Sequence, residues 1–517
     1  MCFGRSIARK SREPLALCIA AVLSSGIVNT VRAGEGTPVP MQTAALHAPG
    51  FLGAPRTFAP TPNRPKAHQA PARAAASSMT AAVVTSCADD GGFDTLRHAV
   101  LAANPTDTID LSGLSCSKIT LQAGAIDVAV SDLTILGPGS GALTIDGNQA
   151  DRVFKHDGAG TLTLSNLTVA NGKHAADKAY GGCIYAKGKL VLNGVIVASC
   201  TALGQTSGIG GAIFAKGDLD LESSTLADNH AEAQVGVAGD LGAVAGAAVS
   251  LSALTLTNSV ISGNIAQAPT GKVVAGGLLA PSLTAKYSTL TGNKAIAAGD
   301  MSNAGIAGAV YVSKLLLRGS TIDHNEADVA AAVYVQSVDP SSYATILQST
   351  ISSNSGKLAF GGLVTRATLE IANSTIAFNT AGGVGGPVVA IFSGVTATLE
   401  STIIADNAPL DLDGGGTIAG ANNLVKVAGQ NVTLPPGTFT LDPQLGPLQL
   451  NGGHTRTHAL LSGSPAIDQG DDGANLPTDQ RGPTYRRVVG SKADIGASEV
   501  DADHIFGDAL EPTPPLS

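Results

Sequence analysis

Asp218, Asp220 and Glu222 alternate along GDLDLESS, so an extended strand would set all three on one face. Carboxylates stacked on neighbouring strands can hold Ca²⁺, and an arginine beside them can act as base, which is the chemistry of acidic-polysaccharide lyases. The stack is not continued. The matching positions of the preceding segment are Lys189, Val191 and Asn193, and those of the following one are Ala253, Thr255 and Thr257. Lys189 over Asp218 is therefore expected to be a cross-strand ion pair. Arg318 and Arg366 are the only arginines between residues 160 and 410, and neither falls beside a predicted carboxylate pair. Asp323-His324 offers half of an acid/base site, but adjacent strand residues point to opposite faces, which predicts a solvated turn. Further on, Asp468, Asp471, Asp472, Asp479 and Arg481 crowd a glycine-rich region, where turn capping and an Arg–carboxylate pair are expected in preference to a Ca²⁺ site. DLDGGG (411–416) lacks the later ligands of a calcium loop and reads as a turn. No catalytic residue, cofactor-binding residue or metal ligand is expected, and no cofactor.

What positions these residues is a repeat. GGCIYAKGKLVLNGVIVASCTA (181–202) aligns without a gap on GGAIFAKGDLDLESSTLADNHA (210–231), at an offset of 29 residues. The second half of the unit recurs nine times, closing on Asn171, Cys200, Asn229, Asn264, Asn293, Asn325, Asn354, Asn379 and Asn407. Most units open with a small pair such as Gly181-Gly182, Gly210-Gly211, Gly276-Gly277, Gly361-Gly362 or Gly385-Gly386. Leu219 and Leu221 alternate with the acidic residues, the period of a strand. Such a unit cannot bury its own apolar face, but stacking on a copy does so and pairs its strands in parallel. The fold class predicted is all-β, a right-handed parallel β-helix of the pectate-lyase-like type, with about nine coils over 160–410. Leucine-rich repeats would need a longer leucine framework. Asn171, Asn229, Asn264, Asn293, Asn325, Asn354, Asn379 and Asn407 are expected to form an inward ladder in which each amide bonds the next.

Composition agrees: 63 Gly, 44 % hydrophobic, 14 % charged, 3 % aromatic and no Trp suit short stacked strands. A net charge of −9 argues against a nucleic-acid partner. Residues 1–33 read as a signal peptide, with Arg5, Arg9, Lys10 and Arg12 before an apolar run and Val31-Arg32-Ala33 at the cleavage point. Residues 34–86 form an Ala/Pro-rich linker, and 87–160 an N-terminal cap with the first coils. In the cap, TLRHAVLAAN (95–104) predicts a short helix with Leu96, Val100 and Leu101 on one face, covering the first coil. The repeat occupies 161–410, a C-terminal cap 411–500 and an exposed tail 501–517. That cap is expected to close the solenoid, with Ala459, Leu460, Leu461 and Ile467 packed on the last coils and Arg481 bonded to an Asp of its own module. Cleavage would leave Cys87, Cys116, Cys183 and Cys200, whose clustering suggests 87 with 116 and 183 with 200, although three connectivities are open.

GGAIF followed by STLADNHA resembles the paired GGA(I/L/V) and FxxN repeats of the polymorphic outer membrane protein family, with Leu226, Ile322, Ile351 or Ile376 where that family has Phe. CADDGGFDTLRHAVLAANPTDTIDL resembles the CSLREA-type N-terminal region of bacterial surface β-helix proteins, with Phe93-Asp94-Thr95 departing from it. NGGHTRTHALLSGSPAIDQG, TDQRG and ADIGASE are similar to the choice-of-anchor Q domain, and HIFGDALE resembles the ending of some exported Gram-negative proteins. These resemblances imply export and surface display and no chemistry. The expected function is adhesion or display on the outer surface of, or outside, a Gram-negative cell, by a monomer without a transmembrane span in its mature chain. The expected partner is a host or cell-surface glycan or protein. The competing reading is a polysaccharide lyase or glycoside hydrolase.

Overall fold

The computed structural model describes residues 81–237, 240–297, 303–383 and 386–500. The expected signal peptide, most of the linker, Gly385 and the tail lie outside the described residues.

Successive coils pass through sheets A and B, and those between Lys173 and Ala381 through sheet C as well. Sheet A has 22 strands and runs the length of the molecule, contributing two adjoining segments per coil, such as Ile184–Ala186 and Lys189–Asn193. Sheet B has 12 short strands, from Lys118–Thr120 to Leu424–Val425, and sheet C has 11. Pairing between coils is parallel and in register: Leu190 lies on Leu162 and on Leu219, and Leu192 on Leu164 and on Leu221. The fold is a parallel β-helix whose lumen is filled by these leucines and by Ile184, Ile213 and their counterparts. Nine sheet B strands fall within 160–410.

The coils turn at three corners occupied by left-handed residues. One holds Asn166, Ser223 and Tyr287; the next Asn171, Ser199, Asp228 and His324; the third Gly181, Gly210, Ala245, Ala275, Ala307, Ala330 and Phe360. The third corner shows that the small pairs slide by one. Ala275 and Phe360, not Gly276 and Gly361, carry the positive φ, and their amide positions align with Gly210.

Sheet C is a fin. Its strands leave the solenoid and return, as in His230–Ala233 out and Leu241–Val244 back. Between the legs lies a separate core of Ala231, Ala233, Ala243, Ala266, Ala268, Val273, Ala295 and Ala327. The legs touch so closely that a Cβ on Gly208 would meet the Ala202 carbonyl at 2.4 Å, and one on Gly305 the Ala295 carbonyl at 2.2 Å. The Ala- and Gly-rich composition follows from this thin, two-legged sheet.

At the N-terminal end, strand Ala81–Val83 pairs with Thr108–Asp110, so the solenoid starts inside the expected linker. Helix α1 (Leu96–Ala102) is capped by Thr95 and buries Leu96 and Val100. Leu101 points away and is 80 % exposed, because the 100° step of a helix carries it off the face that Leu96 and Val100 share. Arg97 fastens the helix, clamping Asp89 through two nitrogens and donating to the Gly124 and Ala125 carbonyls at 2.7 Å.

At the other end the solenoid continues past 410 by one coil, through Leu410–Asp413, Thr417–Ala421 and Leu424–Val425. Ala428 and Leu434 then pack on the end of the core. Residues 443–500 do not lie over the open end. They run back along the outside of sheet B, where Leu460, Ala466 and Ile495 pack on Ile403, Ala405 and Leu424, with Ile467 partly buried against them. Leu461 is 49 % exposed, since it follows the buried Leu460 and faces the opposite way in an extended chain. Among the described residues no helix is long and apolar enough to cross a membrane.

Candidate functional site

The structure places Asn229, Asn264, Asn293, Asn325, Asn354, Asn379 and Asn407 in one buried column. Each Nδ2 donates to the Oδ1 of the next at 2.8–2.9 Å. The same Oδ1 accepts the backbone N–H of the preceding Asn, and each Nδ2 also reaches a carbonyl across the turn, as Asn293 does to Ile261 at 2.9 Å. Asp411 ends the column. Its carboxylate accepts Asn407 N, Asn407 Nδ2 and Val427 N at 2.8–3.0 Å, a set of three donors that suits a group with acceptors only. Asn171 is not a member. Ala170 pairs with Ala198, so the rung two residues on is Gly172 beside Cys200, and Asn171 sits at the left-handed corner, bonding Asp146 at 3.2 Å. Gly172 is required there: a Cβ would meet Cys183 Sγ at 2.7 Å. The disulfide Cys183–Cys200 thus occupies the start of the column, with Cys200 N donating to Asn229 Oδ1. Cys87 and Cys116 form the second disulfide, in the cap.

A second column escaped the sequence reading. Ser224, Ser259, Ser288, Ser320, Ser349 and Ser374 accept backbone N–H groups from the preceding coil at 3.0–3.2 Å. A serine stands five residues before each asparagine from Asn229 to Asn379, and Thr402 before Asn407, a signal visible in the sequence.

The chemically suggestive groups are differently placed. Lys189 Nζ lies 2.5 Å from Asp220, not Asp218, because Asp218 turns toward the next coil and accepts Ser252 Oγ and Ala253 N. Asp323 and His324 do meet: the left-handed φ of His324 swings its Nδ1 to 2.7 Å from Asp323 Oδ2. Asp323 is fully buried and also held by Arg456 at 2.7 Å, and Arg456 reaches Thr291 Oγ1. This ion pair marks one edge of the C-terminal module's seat on sheet B. Along that seat Thr321 Oγ1 donates to the Arg456 carbonyl, Thr350 Oγ1 to Gln480 Oε1, and Thr375 Oγ1 accepts Ala497 N. Ser352 Oγ bonds His458 Nε2 at 2.9 Å, but both groups are buried and His458 Nδ1 is taken by the Gly446 carbonyl, so the pair is a structural joint.

Within the module, Asp468 accepts Ser491 N, Asp472 accepts Leu476 N, and Asp479 accepts Arg481 through N, Nε and Nη2. The ADIGASE segment is buried, with Glu499 accepting Val489 N and Asp494 N at 3.0 Å. Burial pushes Glu499 up to about 7. Asp413 of DLDGGG accepts Asn431 twice at 3.1 Å. Among the described residues no group of three His, Cys, Asp or Glu side chains is placed to hold a metal ion.

The outward row of the Lys189–Asn193 segment of sheet A mixes Thr with charged residues, as in Asp220, Thr255, Thr284, Thr345 and Glu370, whereas that of the Ile184–Ala186 segment is apolar: Phe214, Val249, Tyr311, Tyr334 and Val364 face out yet are at most 3 % exposed. The fin leans on this row, with Tyr180 T-shaped on Phe214 at 5.0 Å. Near the far end Arg366 stacks on Phe392, its Cζ 4.4 Å from the ring centroid, and donates through Nε to Tyr334 Oη at 3.2 Å.

No family model matches the chain, and no curated protein does. Among solved structures the pectate lyase Pel9A is similar at 12 % identity and a TM-score of 0.40, over 82 % of this chain and 98 % of that one. At that score the likeness carries no inference about chemistry.

Proposed function

We propose that the protein is an exported β-helix that presents a binding surface, in adhesion or display, and performs no chemistry on its partner. The observation that carries this reading is the use made of the carboxylates. Every buried Asp or Glu among the described residues accepts hydrogen bonds from backbone N–H, Asn, Lys or Arg, so each is spent on holding turns, columns or the docked module. A lyase or glycosidase needs a carboxylate or base facing substrate with an open valence. Export is supported by residues 1–33, and surface display by the likeness of the repeats, of the CADDGG segment and of residues 451–499 to the surface-protein families named above. The Ser and Asn columns tie each coil to the next, a continuity that a display stalk requires. The test is to treat intact producing cells with a membrane-impermeant amine label and a protease. Labelling and shaving of the full chain on intact cells is the expected result; protection until the outer membrane is breached would refute display.

A further inference from the structure

Tyr334 and Arg366 meet across two adjacent coils at the apolar row of sheet A. Tyr334 is 1 % exposed. Its oxygen accepts the Nε–H of Arg366, so its own O–H must point to a different acceptor, and among the described residues there is none. Leaving a buried hydroxyl donor unmatched is costly. Burial holds the Tyr334 hydroxyl above its usual pKa even beside Arg366, so the proton stays in place.

Arg366 presents the complementary half. Its guanidinium is fixed between the Tyr334 hydroxyl and the Phe392 ring, and Phe392 is braced edge-on by Phe360 from the third corner at 6.1 Å. Its two terminal nitrogens have no partner among the described residues, and no carboxylate forms an ion pair with it. The setting comes from the coil geometry. Gln336, Arg366 and Phe392 occupy the same position in three successive coils, each amide bonding one coil back, to Val312, Val335 and Thr365. The Tyr311 hydroxyl, next to Tyr334 in the stacked pair, is already spent on Gln336 Oε1 at 3.2 Å.

We infer that Tyr334 O–H and the two Nη groups of Arg366 form a site for an oxyanion, the carboxylate or phosphate of a polymer lying along sheet A beside the fin. All groups offered are donors, and a stacked, pre-fixed guanidinium binds a planar or tetrahedral oxyanion through two parallel bonds. The aromatic rings of Phe392 and Phe360 supply apolar contact for the body of the ligand. The inference rests on the reading of the protein as a binding scaffold and names the chemical class that the scaffold holds.

The full chain is titrated calorimetrically with sodium phosphate and, separately, with an oligogalacturonate, alongside Tyr334→Phe, Arg366→Lys and Arg366→Gln. Thermal midpoints and circular dichroism establish that each variant is folded. Saturable binding of one or both probes is expected. Tyr334→Phe and Arg366→Lys should weaken it by about tenfold, and Arg366→Gln should abolish it. Binding of phosphate alone points to a phosphorylated glycan or lipid headgroup, and binding of oligogalacturonate alone to a carboxylated glycan. No saturable heat with either probe, or affinities that Arg366→Gln leaves unchanged, overturns the site. Shortened or unsaturated oligogalacturonate recovered from the cell would instead refute the scaffold reading, whatever the site does.

Discussion

Replacing Asn293 by Ala removes an inner rung of the column, and the structure fixes what is lost. Asn293 is fully buried. Its Oδ1 accepts Asn264 N at 3.2 Å and Asn264 Nδ2 at 2.8 Å, while its Nδ2 donates to the Ile261 carbonyl and to Asn325 Oδ1, both at 2.9 Å. Alanine leaves two donors and one acceptor unmatched inside the solenoid, and at about 1–3 kcal/mol for each buried orphan the cost is about 3–9 kcal/mol, toward the lower end if water enters the space. Asn171→Ala removes one bond at a half-exposed corner and places a Cβ residue other than Asn at positive φ, which costs about 1 kcal/mol. Because a solenoid opens locally, the readout is hydrogen exchange coil by coil, with the Asn264 amide, which loses its acceptor, as the reporter. Asn293→Ala should raise exchange at Asn264 and in the adjacent rungs by two orders of magnitude or more, whereas Asn171→Ala should not disturb them. Equal effects of the two substitutions would refute the assignment of inward column and outward corner.

Leu221 is 2 % exposed in the lumen and Glu222 points to solvent, so Leu221→Ala should cost about 2–5 kcal/mol and Glu222→Ala no more than about 0.5 kcal/mol by denaturant titration. Glu499 is raised from 4.5 to about 7, first by burial, so the fold favours its protonated form; that contribution is complete below pH about 4.5 and is lost as pH rises through about 7. Exchange protection of residues 485–500 should therefore fall between pH 5 and pH 8, and Glu499→Gln should flatten the profile while giving up one of the two backbone bonds. The disulfide Cys183–Cys200 closes a separation of 17 residues, so Cys183→Ala/Cys200→Ala should destabilise the first rungs by about 3 kcal/mol, seen as earlier unfolding of coils 168–230 in pulse proteolysis.

The lumen and the asparagine column were legible because inward residues recur at fixed offsets: Leu162, Leu190, Leu219 and Leu254 repeat in type as well as in position. Asn171 misled because a count of spacings cannot see that this coil is 28 residues long where the next is 29, and one residue is enough to move a side chain from lumen to corner. The fin was illegible for a different reason. Its legs pack together mainly through Ala and Gly, whose close approach leaves no hydrophobic period. Nor does the sequence distinguish Thr321, Thr350 and Thr375, which the C-terminal module covers, from Thr225 and Thr289, which it does not, since all lie at the same outward position. Tyr334, Arg366 and Phe392 come from three coils of unequal length and share no motif. Asp323 and His324 met because one left-handed φ overrides the alternation of a strand.

The central claim is that the protein binds without turning over its partner. The most direct measurement is to incubate the full chain with a panel of neutral and acidic polysaccharides, following absorbance of unsaturated products and the appearance of new reducing ends over hours. The account predicts no product from any of them, with and without added Ca²⁺. Product that accumulates in proportion to enzyme concentration, and that persists in Arg366→Gln but is lost in Asp323→Asn or His324→Ala, would contradict it and move the function to the Asp323–His324 pair.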